Sequence, residues 1–394
     1  MLFRSVKKFV SIFLAVMLIA AIPVFGLAAQ PSTSYMTRQE FVNDLLKGYG
    51  IDLSGQDISQ YVKSNHILEG DGKGNLMLSD PITYEQMATI LSRFYGLSMI
   101  DAHQIEGSEY VYALEDGLIP QDVSLNDKVT EDEGQQILSK IFDNYDKVKD
   151  MIDSSKNTTM KSGSLNGNMK IAMGFNNGVA SPFDTVSAQV YADFNLDQGI
   201  HEVINMTIPN EGAMNVEEYM MGDKIYVKSS DGQWSYMTVP GMSNITNLEK
   251  LQQQNNLFSK DVLYRYAGTS YLNGKAVNVV YAYTKITDMS KMDDLVNALG
   301  LGSILNGMKY SDLVDGVYGR YFYYMDANTN QVCKLDMILK IAYKQGAKVG
   351  GVEMPIKWEM VSGSMVYSNV NGNVNVVLPD DAKNAKELTA PAQN

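Results

Sequence analysis

The sequence predicts a multidomain chain: a mainly helical module of three repeats over residues 36–150, then an α+β domain over residues 160–382 with a curved antiparallel sheet and helices on its concave side. Three observations carry this prediction. Capped helix starts recur at Thr37, Thr83 and Thr130, 46 and 47 residues apart, a spacing that signals an internal repeat. Beyond residue 160, long segments alternate apolar and polar residues between Asn-, Asp- and Gly-rich turns, with no βαβ rhythm. Between the two textures lies the polar run Asp153-Ser154-Ser155-Lys156-Asn157-Thr158-Thr159, so residues 151–159 read as a linker.

The N-terminus places Arg4, Lys7 and Lys8 before an apolar run from Phe9 to Ile22, then Pro23 and Gly26-Leu27-Ala28-Ala29. That order is the one found in a cleavable secretory signal, and cleavage after Ala28 puts small residues at both required positions, giving a signal peptide over residues 1–28. The alternative is a retained anchor, because Phe9 to Ala29 is nearly long enough to span a bilayer. Lipid attachment needs a cysteine just after the apolar run, and the only cysteine is Cys333. The chain carries a formal charge of −13, or −16 without Arg4, Lys7 and Lys8. Such a charge argues against a nucleic-acid partner. No second apolar run approaches membrane-spanning length, so no span is expected after signal cleavage.

Within the module, Thr37 caps a helix whose apolar side is Phe41, Leu45, Leu46 and Tyr49, ended by Gly50. The second helix buries Met87, Ile90, Leu91, Phe94 and Tyr95, and the third buries Ile137, Leu138 and Ile141. The segments between them repeat as well: Tyr61-Val62 leads to Ile67-Leu68-Glu69-Gly70, and Tyr110 to Leu114 leads to Gly117-Leu118-Ile119-Pro120. With Thr37-Arg38-Gln39-Glu40-Phe41, Leu78-Ser79-Asp80-Pro81, Ile82-Thr83-Tyr84-Glu85 and Val129-Thr130-Glu131-Asp132-Glu133, this stretch resembles the S-layer homology module of bacterial surface proteins. The resemblance implies binding to an anionic cell-wall polysaccharide, with the Arg of a T-R-x-E motif as a contact. Only Arg38 fits that role, because Tyr84 and Glu131 occupy the matching places. Two readings stay open: a wall-binding module, or a scaffold whose ligand groove has degraded.

In the second region, Met169, Ile171 and Met173 alternate with polar neighbours. Strands follow around Val186 to Phe194, Glu202 to Ile208, Asn215 to Met221, Lys224 to Ser229 and Trp234 to Val239. Later ones are Gly274 to Lys285, Val317 to Asp326, Gln331 to Tyr343, Val352 to Tyr367 and Val374 to Val377. Helical segments are expected at Asn247 to Phe258 and across Met289 to Leu313, and residues 383–394 read as a disordered polar tail. The hairpin Met221-Gly222-Asp223-Lys224-Ile225-Tyr226 with Gly232-Gln233-Trp234, and the ending Val376-Val377-Leu378-Pro379-Asp380-Asp381-Ala382, make this region similar to the LolA/LppX-like lipoprotein-carrier fold. That resemblance implies an incomplete β-barrel filled by helices, with acyl chains or lipoproteins as ligands.

No enzyme, cofactor or metal assignment follows from the residues. His66, His103 and His201 lie apart without metal-ligand spacing, and no nucleophile motif is present. Gly70-Asp71-Gly72-Lys73-Gly74 reads as a surface turn, Cys333 as strand packing, and the pairs Glu217-Glu218 and Asp293-Asp294 as solvated acids. Eighteen of 24 methionines fall from Met151 onward, fitting either a methionine-rich core or a flexible lining for a lipid or hydrophobic peptide. The expected function is that of a secreted, extracytoplasmic binding protein at a bacterial cell surface or wall. The sheet domain would take a hydrophobic ligand or a surface partner, and the repeat module would orient it. The rival expectation is a purely structural envelope protein.

Overall fold

A computed structural model describes residues 34–53, 55–71, 73–100, 109–157, 160–176, 185–208, 212–229, 231–244, 261–298, 308–349 and 351–388. The signal-peptide expectation, the helix expected at Asn247 to Phe258 and His103 lie outside these residues.

Helices α1 (Arg38–Gly48), α2 (Ile58–Ser64), α3 (Tyr84–Phe94), α4 (Leu97–Ile100), α5 (Tyr110–Glu115), α6 (Glu131–Ile141) and α7 (Tyr145–Asn157) build the first region. The three expected starts are all found: Thr37, Thr83 and Thr130 each close a capping box with Glu40, Gln86 and Glu133 respectively. Each box satisfies two backbone N–H groups that a helix start leaves open. The buried residue before each cap joins a closed ring of backbone hydrogen bonds. Met36 N–H donates to Val129 O at 3.0 Å, Val129 N–H to Ile82 O at 2.9 Å, and Ile82 N–H to Met36 O at 2.9 Å. The three units therefore meet around a pseudo-threefold axis.

Residues 151–157, expected as a linker, instead continue α7, whose Val148, Met151 and Ile152 are buried in the same core as Val262 and Tyr264 of the sheet. Burial of one helical face favours continued helix over free chain.

The second region is one twelve-stranded sheet in the order β14-β6-β5-β4-β3-β2-β1-β13-β10-β9-β8-β7. Its strands are β1 (Ser162–Phe175), β2 (Thr185–Asn195), β3 (Gly199–Ile208), β4 (Gly212–Met221), β5 (Lys224–Lys228), β6 (Trp234–Thr238), β7 (Val262–Leu272), β8 (Lys275–Ile286), β9 (Val314–Asp326), β10 (Val332–Tyr343), β13 (Ile356–Ser368) and β14 (Lys386–Glu387). A separate small hairpin pairs β11 (Lys348–Val349) with β12 (Val352–Glu353). Strand β7 was not anticipated, since Tyr266-Ala267-Gly268-Thr269-Ser270 breaks the alternation; the register shifts there between Tyr266 and Gly268, which has φ +106°. Cys333 likewise sits where the β9–β10 register slips, half-buried.

Two sequence expectations are corrected at the chain's end. Val374 to Val377 forms no strand; it is an extended segment whose Val374 and Val376 pack with Tyr219 and Trp234. The tail is ordered to Leu388, because β14 pairs in parallel with β6 and Leu388 N–H donates to Tyr236 O at 2.7 Å. An open sheet edge leaves unpaired backbone groups, and the tail satisfies them here. The sheet is thus mixed at that edge and remains unclosed between β7 and β14.

Register fixes which side chains share a face. Met169 of β1 lies opposite Ala188 on one side and Gly363 on the other, and Gly363 lies opposite Met337. Extending this row by twos gives an inner face that carries most of the sheet's buried apolar residues. Met220 and Ile225 of β4 and β5 share one core cluster with Ile286 and Val317 of β8 and β9, although five strands separate β4 from β9 in the sheet. The sheet therefore curls around its inner face, and α8 (Ser290–Ala298) and α9 (Tyr310–Leu313) supply Leu295, Val296 and Leu313 to that cluster.

The helical module holds the β7 edge from both sides. On the outer face, Tyr95 packs on Tyr283, Asp116 pairs with Arg320 and accepts a hydrogen bond from Tyr283 Oη at 3.0 Å, and the Asp116 carbonyl accepts from Arg265 at 2.8 Å. On the inner face, Lys147 Nζ reaches Tyr266 Oη at 2.9 Å and Asn278 Oδ1 at 3.0 Å.

Candidate functional site

The sequence pointed to Glu217-Glu218 as two solvated acids, but adjacent residues in a strand face opposite ways. Glu217 is on the outer face, where Lys228 Nζ lies 3.1 Å and His201 Nε2 3.3 Å from its carboxylate. His201 also stacks on Tyr219 at 4.2 Å. Glu218 points inward and is 0% exposed. Directly across the β3–β4 ladder stands Glu202, 7% exposed.

The surroundings of this acid pair are apolar. Across the ladders Glu202 faces Ala192 and Glu218 faces Val227, and their same-face strand neighbours are Ile200, Ile204, Val216 and Met220. Apart from the Glu202 carboxyl opposite, Glu218 has no hydrogen-bond partner among the described residues. Burial, first of all, holds both carboxyls above the ordinary glutamate value, and for Glu202 the nearby Glu218 charge adds to the effect. Loss of hydration disfavours the charged form, and two carboxylates side by side disfavour double ionisation.

The inner face changes character along the sheet. Over β7–β9 Tyr264, Val280, Ala282 and Met325 are fully buried, with the half-buried rings of Tyr266, Tyr321 and Tyr323 among them. Over β3–β6 Ile204, Ile208, Met220 and Ile225 are buried, and Ile200, Met206, Met214, Val216, Val227 and Met237 beside them are half-buried. The acid pair sits amid this second group.

No family model matches the chain, and no curated protein matches it. By structure it is similar to LprF of Mycobacterium bovis, at 14% identity over 60% of this chain and 98% of that one, with a TM-score of 0.33. It is similar to the lipoprotein LppX of Mycobacterium tuberculosis at 15% identity over 58% and 97%, TM-score 0.30. For an outer membrane lipoprotein-sorting protein domain from Vibrio parahaemolyticus the values are 10%, 60% and 95%, TM-score 0.21. Likeness at these scores carries no inference about the site, and the sheet described above rests on its own register.

An open groove of about 640 Å3 crosses β13, β1, β2, β3 and β4. Each strand contributes one inner-face residue, such as Met169 or Ala188, flanked by its two outward neighbours, and no inner-face residue further along the strand. The groove therefore lies on the outer face between two rows of outward side chains, among them Asn168, Gln189 and Asn205 on one side and Lys170, Ser187 and Thr207 on the other. It is not the apolar cavity between sheet and helices that a buried ligand would occupy.

Arg38, the candidate wall-polymer contact, binds within the module: Nε donates to Gln86 Oε1 at 3.2 Å, and Nη1 to the Leu76 and Met77 carbonyls at 3.2 and 3.3 Å. Asp71 accepts from the Lys73 and Asn75 amides, as a surface turn does. Among the described residues, no three His, Cys, Asp or Glu side chains converge on a metal position, and no helix is long and apolar enough to cross a membrane.

Glu202 and Glu218 were missed because they are sixteen residues apart and flank a hairpin. The signal was present in the alternation: Ile200, Glu202 and Ile204 share a face, as do Val216, Glu218 and Met220. Pairing the two runs about the loop places the acids opposite one another.

Proposed function

We propose that the protein is an extracytoplasmic binding protein of the bacterial cell envelope whose sheet takes an apolar ligand, a lipid or a hydrophobic peptide, on the inner face of β3–β6. The half-buried Met206, Met214, Val216, Val227 and Met237 carry this reading. Flexible thioether side chains on a concave wall adapt to acyl chains of different length, and covering them is favourable at about 25 cal/mol per Å2. In this reading residues 1–28 are a signal peptide, and the helical module, similar to S-layer homology repeats, orients the sheet at the wall. Arg38 would reach wall polysaccharide through Nη2, against the repulsion of a strongly acidic chain.

Native mass spectrometry of the signal-free protein with extracted envelope lipids tests the ligand. A lipid retained by the full chain is expected; absence of any co-purifying or added lipid would sink the reading. The fully buried Tyr264, Val280 and Ala282 of β7 and β8 favour the rival reading of a structural envelope protein in that event. Retention on purified wall polysaccharide, lost in Arg38→Ala, tests the module.

A further inference from the structure

We infer that Glu202 and Glu218 form the polar end of the ligand site and bind the primary ammonium group of an amphiphile whose chain lies along the inner face of β3–β6. This inference rests on the apolar-ligand reading above and names the head group that reading leaves open. Glu218 is fully buried, and its one partner among the described residues is the Glu202 carboxyl across the ladder. A buried acceptor without a partner is costly, and a buried carboxylate much more so. Its strand neighbour Glu217 has the Lys228 ammonium and the His201 ring as partners on the outer face, whereas no described basic side chain is paired with the inner acids. A proton shared between the two acids supplies one hydrogen bond for four carboxyl oxygens.

The geometry selects among cations. Calcium takes six to eight oxygen ligands and zinc prefers nitrogen or sulfur, and the described residues offer no third metal ligand beside the pair. A primary ammonium brings three N–H donors and one positive charge, which suits two facing carboxyls. A quaternary ammonium brings the same charge and no donor, so it leaves the oxygens unbonded. Apolar neighbours on both sides, Ile200, Ile204, Val216 and Met220, favour a ligand whose remaining surface is a hydrocarbon chain. Entry of the ammonium ionises the pair and releases the proton it holds, so no other reactant is required.

Calorimetric titration of the full signal-free protein at pH 7 with dodecylamine, dodecyltrimethylammonium and dodecanol, each below its micellar concentration, tests the inference. Dodecylamine is expected to bind at least about tenfold more tightly than either of the other two. Glu202→Gln/Glu218→Gln is expected to remove that preference and leave dodecanol binding intact. Proton release on dodecylamine binding, read from heats in buffers of different ionisation enthalpy, checks the same step in the wild type even if the variant does not fold. Equal affinity of the wild type for dodecylamine and dodecanol, or binding without proton release, overturns the inference while the apolar-ligand reading stands. Binding of none of the three overturns both.

Discussion

Tyr95 of the helical module stacks against Tyr283 of β8 with ring centroids 4.4 Å apart and planes inclined by 33°, and Tyr49 Oη lies 2.7 Å from Tyr95 Oη. Around these rings a single core cluster runs from Met36 in the module to Tyr318 in β9. Two regions that read as separate domains in sequence are thus expected to unfold together. The sharpest test is Asp116, whose buried carboxylate holds Arg320 and Tyr283 while its carbonyl holds Arg265. Asp116→Ala leaves the Arg320 guanidinium and the Tyr283 hydroxyl without their acceptor, while the main-chain carbonyl that holds Arg265 remains, and is expected to cost roughly 3–5 kcal/mol. Urea denaturation followed by far-ultraviolet dichroism and by Trp358 and Trp234 fluorescence would measure it. Coincident transitions are expected in the wild type, and separated ones would mean the contact is too weak to couple the regions.

Thr83 caps α3, and its unit contributes Ile82 to the hydrogen-bonded ring that joins all three repeats. Thr83→Ala removes the side-chain acceptor for Gln86 N–H and is expected to cost about 1 kcal/mol. Because Thr37 and Thr130 cap their helices in the same way, the corresponding alanine variants should show losses of similar size. A denaturation midpoint unchanged in all three would count against the caps as the source of the repeat's stability.

Gly48 ends α1, where two effects oppose one another. Alanine is favoured over glycine in a helix by about 1 kcal/mol. A Cβ at this position, however, would clash with the far edge of the Phe142 ring, and that half-buried ring packs edge-on against Tyr49 and Tyr145, which must shift with it. Overpacking costs roughly 1–3 kcal/mol, so packing wins and Gly48→Ala is expected to lower the melting temperature.

Sequence reasoning reached the local elements wherever one residue type settles a local choice. The threonine caps, the Gly50 and Gly96 ends and most strands required only neighbouring residues, and both glycines have the positive φ that such helix ends use. What it missed depends on contacts between distant parts of the chain. Helix α7 persists through Asn157 because the sheet covers it, β14 forms because β6 offers an open edge, and Glu218 acquires its character from Glu202 across a ladder. Gln198 is another instance: its side-chain oxygen receives Val376 N–H at 2.8 Å, a bond that fixes the final extended segment and leaves no trace in either local pattern.

Stability should pass through a minimum near pH 8, set by groups that titrate in opposite senses. Burial holds Glu202 and Glu218 above the ordinary value of 4.5, Glu202 up to about 8, so the folded chain binds protons there more tightly than the unfolded one. Their contribution is complete below pH 4.5 and is lost as pH rises towards 8. Lys285 behaves oppositely. Its Nζ donates to the carbonyls of Asn65 and Arg93 at 2.7 and 3.1 Å, at the C-terminal ends of α2 and α3, but burial, and then the Arg93 charge, hold its pKa down to about 8 from 10.5. Between pH 8 and 10.5 the unfolded chain binds the extra proton, so stability rises with pH. Urea midpoints measured from pH 5 to pH 10 would show both limbs. Glu202→Gln/Glu218→Gln should flatten the descent below pH 8, and Lys285→Met the ascent above it. A wild-type curve that climbs steadily from pH 5 to pH 8 would show that the inner acids are already ionised at neutral pH, and so are far better solvated or paired than their apolar wall implies.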